Sequence, residues 1–434
     1  MAAYGHIFES MGSGVKPVPE GASDILIQSE SGIGKGLLAE FIHDNDRKKM
    51  EAKMQEQNTT RNTIVNSWNE WDPLKHVIVG RADGTMVQAP EPAIERNWPD
   101  HGFPLGTYGP LPKEMEAKAN EQLDNFAKLL ESRGIRVDRP TPLEFSQEVQ
   151  TPDWEQKSMF GCMPPRDVLL TVGNEIIEAT MSQRARWYEY LCYRPLLEQY
   201  FKEDPNFKWE AAPKPRLSDD TYKKDYWREW EKKSKEEKEK AIYERDWVLT
   251  EKEPCFDAAD IGRAGKDLFV YHSSVTNRAG IDWLRRHFPN HRLHPVWFYE
   301  DNPIHIDATF VVLRPGLALS NRKRKPLTPG LLEFFKKNDW QVVECAKPFL
   351  DNYPPLSFCS PWLSMNTLML DPKTICADAR EKDQMEQFDK LGFEVVPVEF
   401  ADVSAFGGGL HCATADVYRK GGCEDYFPHQ IEGF

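Results

Sequence analysis

From Val65 onward, short apolar runs alternate with amphipathic stretches in one repeating order. The runs begin near His76-Val77-Ile78-Val79, Asp167-Val168-Leu169-Leu170, Asp267-Leu268-Phe269-Val270, Thr309-Phe310-Val311-Val312 and Thr367-Leu368-Met369-Leu370. Several break at Gly, Asp or Pro and resume as strand, as in Val172-Gly173-Asn174-Glu175-Ile176-Ile177, which is a hairpin pattern. Each run leads into a helical stretch and then another strand. The clearest helix is expected over 113–133, where Met115, Ala119, Leu123, Phe126 and Leu130 recur at helical spacing and Gly134 stops it before Ile135-Arg136-Val137. The same succession is read at 196–200 before Phe207-Lys208-Trp209, and at 281–287 before 291–296. It recurs at 331–337 before Trp340-Gln341-Val342-Val343, and at 385–391 before 393–398.

A unit that cannot bury its own apolar face must stack on copies of itself, and strand-rich units in this number can close a ring. The pattern therefore predicts a five-bladed, circular, pseudosymmetric α/β propeller, with an ordinary mixed α/β sheet as the alternative. Between the second and third units, 229–245 intermixes Lys and Glu and predicts a solvated surface helix. Residues 1–61 differ in character and read as a flexible or partner-facing extension ahead of a single domain over 62–434. Within them Ile25-Leu26-Ile27, followed by Ser29-Glu30-Ser31-Gly32-Ile33-Gly34-Lys35-Gly36, imitates a phosphate-binding loop. However, Ser29 stands where that motif has its first Gly, and Gly36 where it has a hydroxyl for Mg²⁺. A nucleotide-regulated binding protein is thus a weaker reading of this segment, tested by deleting it.

Composition narrows the partners. Apolar residues make up 40% of the 434, with 12% aromatics, too rich for a disordered chain, and no run suits a membrane span. The formal charge of −14 argues against nucleic acid or an anionic membrane surface, while an acidic site for a guanidinium or amine fits it. The eight cysteines are scattered without a CxxC pair, which predicts reduced thiols in the cytoplasm and no zinc site.

Candidate chemistry lies in three stretches. Phe406-Gly407-Gly408-Gly409-Leu410-His411-Cys412 uses a glycine run to deliver a cysteine at the start of an apolar strand, where either a nucleophile or an inert buried thiol could stand. Asn302-Pro303-Ile304-His305-Ile306-Asp307 and Pro254-Cys255-Phe256-Asp257-Ala258-Ala259-Asp260 add a histidine and carboxylates. Together these are the components of thiol chemistry on a cationic substrate.

Those stretches, with Val65-Asn66-Ser67-Trp68-Asn69-Glu70-Trp71-Asp72-Pro73-Leu74, Pro165-Arg166-Asp167, Gly173-Asn174-Glu175-Ile176-Ile177-Glu178-Ala179 and Trp362-Leu363-Ser364-Met365-Asn366, resemble the glycine amidinotransferase family in consistent order. The resemblance implies a pentein-type propeller that moves the amidino group of arginine to an amine, without metal or organic cofactor. It implies Cys412 as nucleophile, His305 as acid and then base, and Asp257 as its orienting carboxylate. Asp167 and Asp307 are implied to hold the guanidinium, although Asp167 alone would read as a turn residue beside Pro164-Pro165. Arg324 and Ser360 are implied to hold the donor carboxylate, and Cys359 stands where the family has another Ser. Asn302 matches members that use glycine, whereas Ile304 replaces their Met and leaves room for another small amine. Family members are often dimers, so a homodimer is expected. Within the same fold, a guanidine hydrolase such as an arginine deiminase is the alternative.

Overall fold

The computed structural model describes residues 63–94, 107–350 and 359–431. The expected extension over 1–61, with its phosphate-loop-like segment, lies outside them.

Five three-stranded sheets carry the architecture, and each is wired alike. An inner strand pairs antiparallel with a middle strand, and a helix crosses back to place an outer strand parallel to the middle one, the crossover that parallel pairing requires. The second blade uses Leu169–Val172, Glu175–Glu178 and Lys208–Ala211, with helix Arg194–Glu203 between the last two. The third uses Ile261–Ala264, Asp267–Tyr271, helix Arg278–His287 and Arg292–Val296. The fourth uses Phe310–Arg314, Leu317–Ser320, helix Leu331–Lys337 and Gln341–Glu344. The fifth uses Leu368–Asp371, Thr374–Asp378, helix Lys382–Lys390 and Glu394–Val398. Contacts between neighbouring blades join them into the five-bladed α/β propeller that the repeat pattern predicts.

The first blade departs from the expected local hairpin. Its middle strand, Leu74–Val79, pairs antiparallel with Thr414–Arg419 from the far end of the chain, and parallel with Arg136–Asp138. Ring closure explains this, because a local hairpin would leave the last blade beside an open edge. Helix Lys113–Ser132 of this blade buries Ala119, Leu123, Phe126 and Leu130 of the stripe read from spacing, with Ala127 beside them, while Met115 is only partly buried. In the third blade the hairpin starts earlier than the apolar run at Asp267, because its inner strand Ile261–Ala264 carries a buried arginine, Arg263.

The charged run between blades also differs from expectation. It forms two helices, Tyr226–Lys232 and Lys235–Glu244, split where Ser234 and Glu237 make a capping box. Trp227 and Trp230 on the first, and Ala241 and Ile242 on the second, are buried in a cluster shared with Leu123 and Phe126. The lysines and glutamates cover only the other faces.

Where the inner strands converge, the core is ionic. Arg263 uses all five of its guanidinium donors: Nε and Nη2 to Glu70 (both 2.7 Å), Nη1 to Ser67 Oγ and the Thr171 carbonyl (both 2.9 Å), and Nη2 again to Asp416. Arg166 reaches Asp416 at 3.0 Å, and Arg419 reaches Asp416 at 2.7 Å and the Met369 carbonyl at 2.9 Å. This hub ties the first, second, third and fifth blades together. Burial resists ionisation of Glu70, but Arg263 outweighs it and holds that carboxyl well below its ordinary range.

Candidate active site

Five segments, one per blade, end two to four residues ahead of an inner strand, and each carries a polar side chain. They supply Asp167 before Leu169–Val172, Asp257 before Ile261–Ala264, Asp307 before Phe310–Arg314, Asn366 before Leu368–Asp371 and Cys412 before Thr414–Arg419. Because the blades are alike, residues at one end of each inner strand converge. A single cavity is lined by Asp167, Asn302, Ile304, His305, Asp307, Arg324, Cys359, Ser360, Asn366 and Cys412. Asp257 stands directly behind His305. Every residue singled out in the sequence is therefore brought into one place.

The glycine run has a steric purpose. Gly408 has φ +150°, and a Cβ there would sit 2.3 Å from Cys412 Cβ and 2.6 Å from its sulfur. A Cβ on Gly409 would meet the Asn366 side chain at 2.8 Å. That side chain accepts the backbone N–H groups of His411 (2.9 Å) and Cys412 (3.1 Å) on its oxygen, so its amide nitrogen is turned toward the sulfur at 3.1 Å. The thiol in turn donates to Asp307 Oδ2 at 3.4 Å. Burial, followed by the nearby Asp307 and Asp167 charges, pushes the Cys412 pKa well above the ordinary thiol range, which favours the protonated sulfur.

Opposite it, His305 adopts φ 59°, a left-handed conformation that a non-glycine residue holds only when its surroundings impose it. Its Nε2 lies 3.2 Å from Asp257 Oδ2, and its Nδ1 lies 3.6 Å from Asp167 Oδ1. Burial favours the neutral ring, but Asp167, Asp257 and Asp260 outweigh it and raise the pKa to about 10. Asp167 is anchored through Oδ2 to Arg186 at 2.9 Å, while its buried Oδ1 has no hydrogen-bond partner among the described residues. Arg186 is itself gripped by Glu189.

Ligand atoms of Asp167, His305 and Cys412 lie within 4.8 Å of one another, close enough to share a cation. The sulfur, the imidazole and the carboxylate therefore face one point of the cavity.

At the other end of the cavity, Arg324 donates to Ser360 Oγ (3.0 Å) and Thr309 Oγ1 (2.9 Å), and pairs with Glu300 at 2.6 Å. Burial, countered by Arg324, raises the Glu300 pKa to about 7, so this internal carboxylate gives up its charge readily. The Cys359 thiol donates to the Ser404 carbonyl at 2.8 Å. Asn366, His411 and Glu70 lie in motifs noted from the sequence, but without an assigned part. Arg186, Glu189 and Glu300 carried no signal of their own beyond being charged residues near apolar ones.

No family model matches the chain. Among curated proteins, the mitochondrial glycine amidinotransferase of Danio rerio is 43% identical over 373 residues, spanning 85% of this chain and 86% of that one. The L-arginine:L-lysine amidinotransferase of Pseudomonas savastanoi pv. phaseolicola is 38% identical, spanning 83% of this chain and 96% of that one. Among solved structures, the amidinotransferase SxtG of Microseira wollei superposes with a TM-score of 0.73 at 36% identity, covering 84% of this chain and 99% of that one. With sequence identity of this extent joined to the same fold, the chain belongs to the glycine amidinotransferase family and is an amidinotransferase.

Proposed function

We propose that the chain moves the amidino group of L-arginine to glycine through a covalent amidino-cysteine, giving ornithine and guanidinoacetate. The observation that carries this reading is the convergence of the Cys412 thiol, the His305 ring and the Asp167 carboxylate within 4.8 Å at the wall of one cavity. A guanidinium cation is a poor electrophile, so it needs a thiolate, carboxylates that orient it, and an acid for the leaving amine.

In this mechanism the guanidinium docks on Asp167 Oδ1 and Asp307. Its positive charge replaces the proton of the Cys412 thiol, which leaves to solvent, while the Asn366 amide still donates to the sulfur. The thiolate attacks the guanidinium carbon and forms the C–S bond. The C–N bond to the ornithine side chain breaks as His305, held by Asp257, gives that nitrogen its proton. Glycine then enters and sheds one ammonium proton to solvent, its amine attacks the amidino carbon as His305 takes the second proton, and the C–S bond breaks with its electron pair returning to the Cys412 sulfur, which regains a proton from solvent. The donor's α-carboxylate binds Arg324 and Ser360 in exchange for Glu300, whose readiness to lose its charge eases the swap. Asn302 and Ile304 line the acceptor side.

The test is incubation with arginine and glycine. Ornithine with guanidinoacetate supports the reading, whereas citrulline with ammonia assigns the site to hydrolysis. Ile304 gives a second acceptor a specific footing, and the likeness to an arginine:lysine enzyme adds to it. Competition between glycine and lysine for the amidino group decides between them. Among the described residues no helix is long and apolar enough to cross a membrane. The eight cysteines are all free, which suits the cytoplasm or another reducing compartment. Cell fractionation tests the cytoplasmic assignment, and a mitochondrial pool would contradict it. The expected homodimer is tested by light scattering.

A further inference from the structure

His411 is used nowhere in the mechanism above, yet it sits part-buried next to the nucleophile, between two carboxylates. Its Nδ1 lies 2.8 Å from Asp307 Oδ2, and its Nε2 lies 3.4 Å from Glu70 Oε2. The same Asp307 oxygen accepts the Cys412 thiol proton. Behind Glu70 stands Arg263 with its full set of partners, and Arg166 lies 3.6 Å from the same Glu70 oxygen. A continuous line of polar contacts thus runs from the ionic hub through Glu70, His411 and Asp307 to the sulfur.

We propose that His411 is a positioning residue for amidino transfer, whose imidazole, gripped between Glu70 and Asp307, fixes the Asp307 carboxylate against the Cys412 sulfur at the place where the guanidinium must dock. The inference rests on the reading under Proposed function. Its physical content is that a short carboxylate such as Asp307 has a broad terminal torsion to restrain, and the contact with His411 restrains it at the oxygen that meets the sulfur. The groups facing His411 are Asp307 from the turn before the fourth inner strand, Glu70 from the segment before the first blade, and Arg166 from the turn before the second. Burial and Arg166 favour the neutral ring, and the two carboxylates outweigh them, so the ring holds its proton above the ordinary histidine range. As a cation it keeps Asp307 ionised, and the Asp307 pKa is correspondingly lowered despite its burial. Asp307 then presents a charged, fixed oxygen to an arriving cation.

The test uses the full-length enzyme with arginine and glycine, and reads kcat and KM for arginine across pH. His411→Asn can still donate to Asp307 but carries no charge. The expected result is that the acid limb of kcat/KM moves to higher pH by about one unit, since an opposite charge at this distance lowers a carboxyl pKa by that order. His411→Phe loses the hydrogen bond as well. It is expected to raise KM for arginine about tenfold or more with a smaller fall in kcat, the scale of one charge-assisted hydrogen bond. Glu70→Gln is expected to shift the acid limb in the same direction but less.

Folded variants with unchanged pH profiles and KM would overturn the proposal. Failure of all three variants to fold would also overturn it, by making the role structural. Mass spectrometry of the wild-type protein after exposure to arginine separates the two levels. With no amidino group on Cys412, the underlying reading fails. With the group present and the profiles unmoved, only the part given to His411 fails.

Discussion

Two buried clusters of arginines and carboxylates lie within a few residues of each other, and they are built on opposite terms. In the hub, every donor of Arg263 has an acceptor, and Glu70 and Asp416 are each held by more than one guanidinium. In the cavity, Asp167 and Asp257 each leave a buried oxygen without a hydrogen-bond partner among the described residues, His305 is held in a left-handed conformation, and Cys412 keeps its proton against its task. Around Arg263 the network specifies one arrangement and leaves that guanidinium no donor for a ligand, although Arg166 Nε has no hydrogen-bond partner among the described residues. In the proposed mechanism the arriving guanidinium takes up the Asp167 oxygen that is left without a partner. The difference teaches that burial of charge alone does not mark a site, and that the cavity is set apart by unfilled carboxylate oxygens gathered beside a thiol and an imidazole.

The sharpest way to break the comparison is Cys412→Ala, which should abolish ornithine release while leaving the melting temperature close to that of the wild type. Measurable turnover in that variant would remove the cavity from the chemistry. Arg263→Met should do the reverse. It strands Glu70 and Asp416 without their main partner and should cost about 3–5 kcal/mol in urea unfolding, the scale of a broken buried ion pair.

Asp257→Asn sits between the two, with kcat expected to fall on the order of 10²-fold. It also has a pH signature. The His305 pKa is raised from 6.5 to about 10, so the stability it contributes is fully present below about 6.5 and is lost as pH rises through about 10. In Asp257→Asn the upper edge of that window moves down, so the stability gap between wild type and variant should narrow from pH 7 toward pH 10. A constant gap would show that His305 is not charged by this pair. The smallest expected effect is that of Ser67→Ala, which removes one of Arg263's five acceptors and should cost about 1.5–3 kcal/mol. A cost near that of Arg263→Met would mean that the hub stands or falls as a unit.

Much of this was legible because the repeat is local. Helix 331–337 and the outer strands that follow each crossover lie within a residue or so of where apolar spacing put them. The first blade was not legible, since the partner of Leu74–Val79 lies at the far end of the chain, and pairing at that separation leaves no mark on local pattern. The inner strand Ile261–Ala264 was hidden by Arg263, which looks exposed in sequence and is 1% exposed in the fold. In the cavity, the residues given a part from their motifs lie together, with Asp257 behind His305. The part played by Asn366 was missed because an amide that aligns a backbone turn and a thiol has no spacing to betray it. Arg186 and Glu189 stood in a stretch with no periodicity at all.

The most direct measurement is mass spectrometry of the protein exposed to arginine alone, with the peptide containing Cys412 sequenced. The account predicts an added amidino group on the Cys412 sulfur, accumulating with one equivalent of ornithine and released when glycine is supplied. Ornithine appearing while Cys412 stays unmodified, or a modification on Cys359 instead, would contradict it.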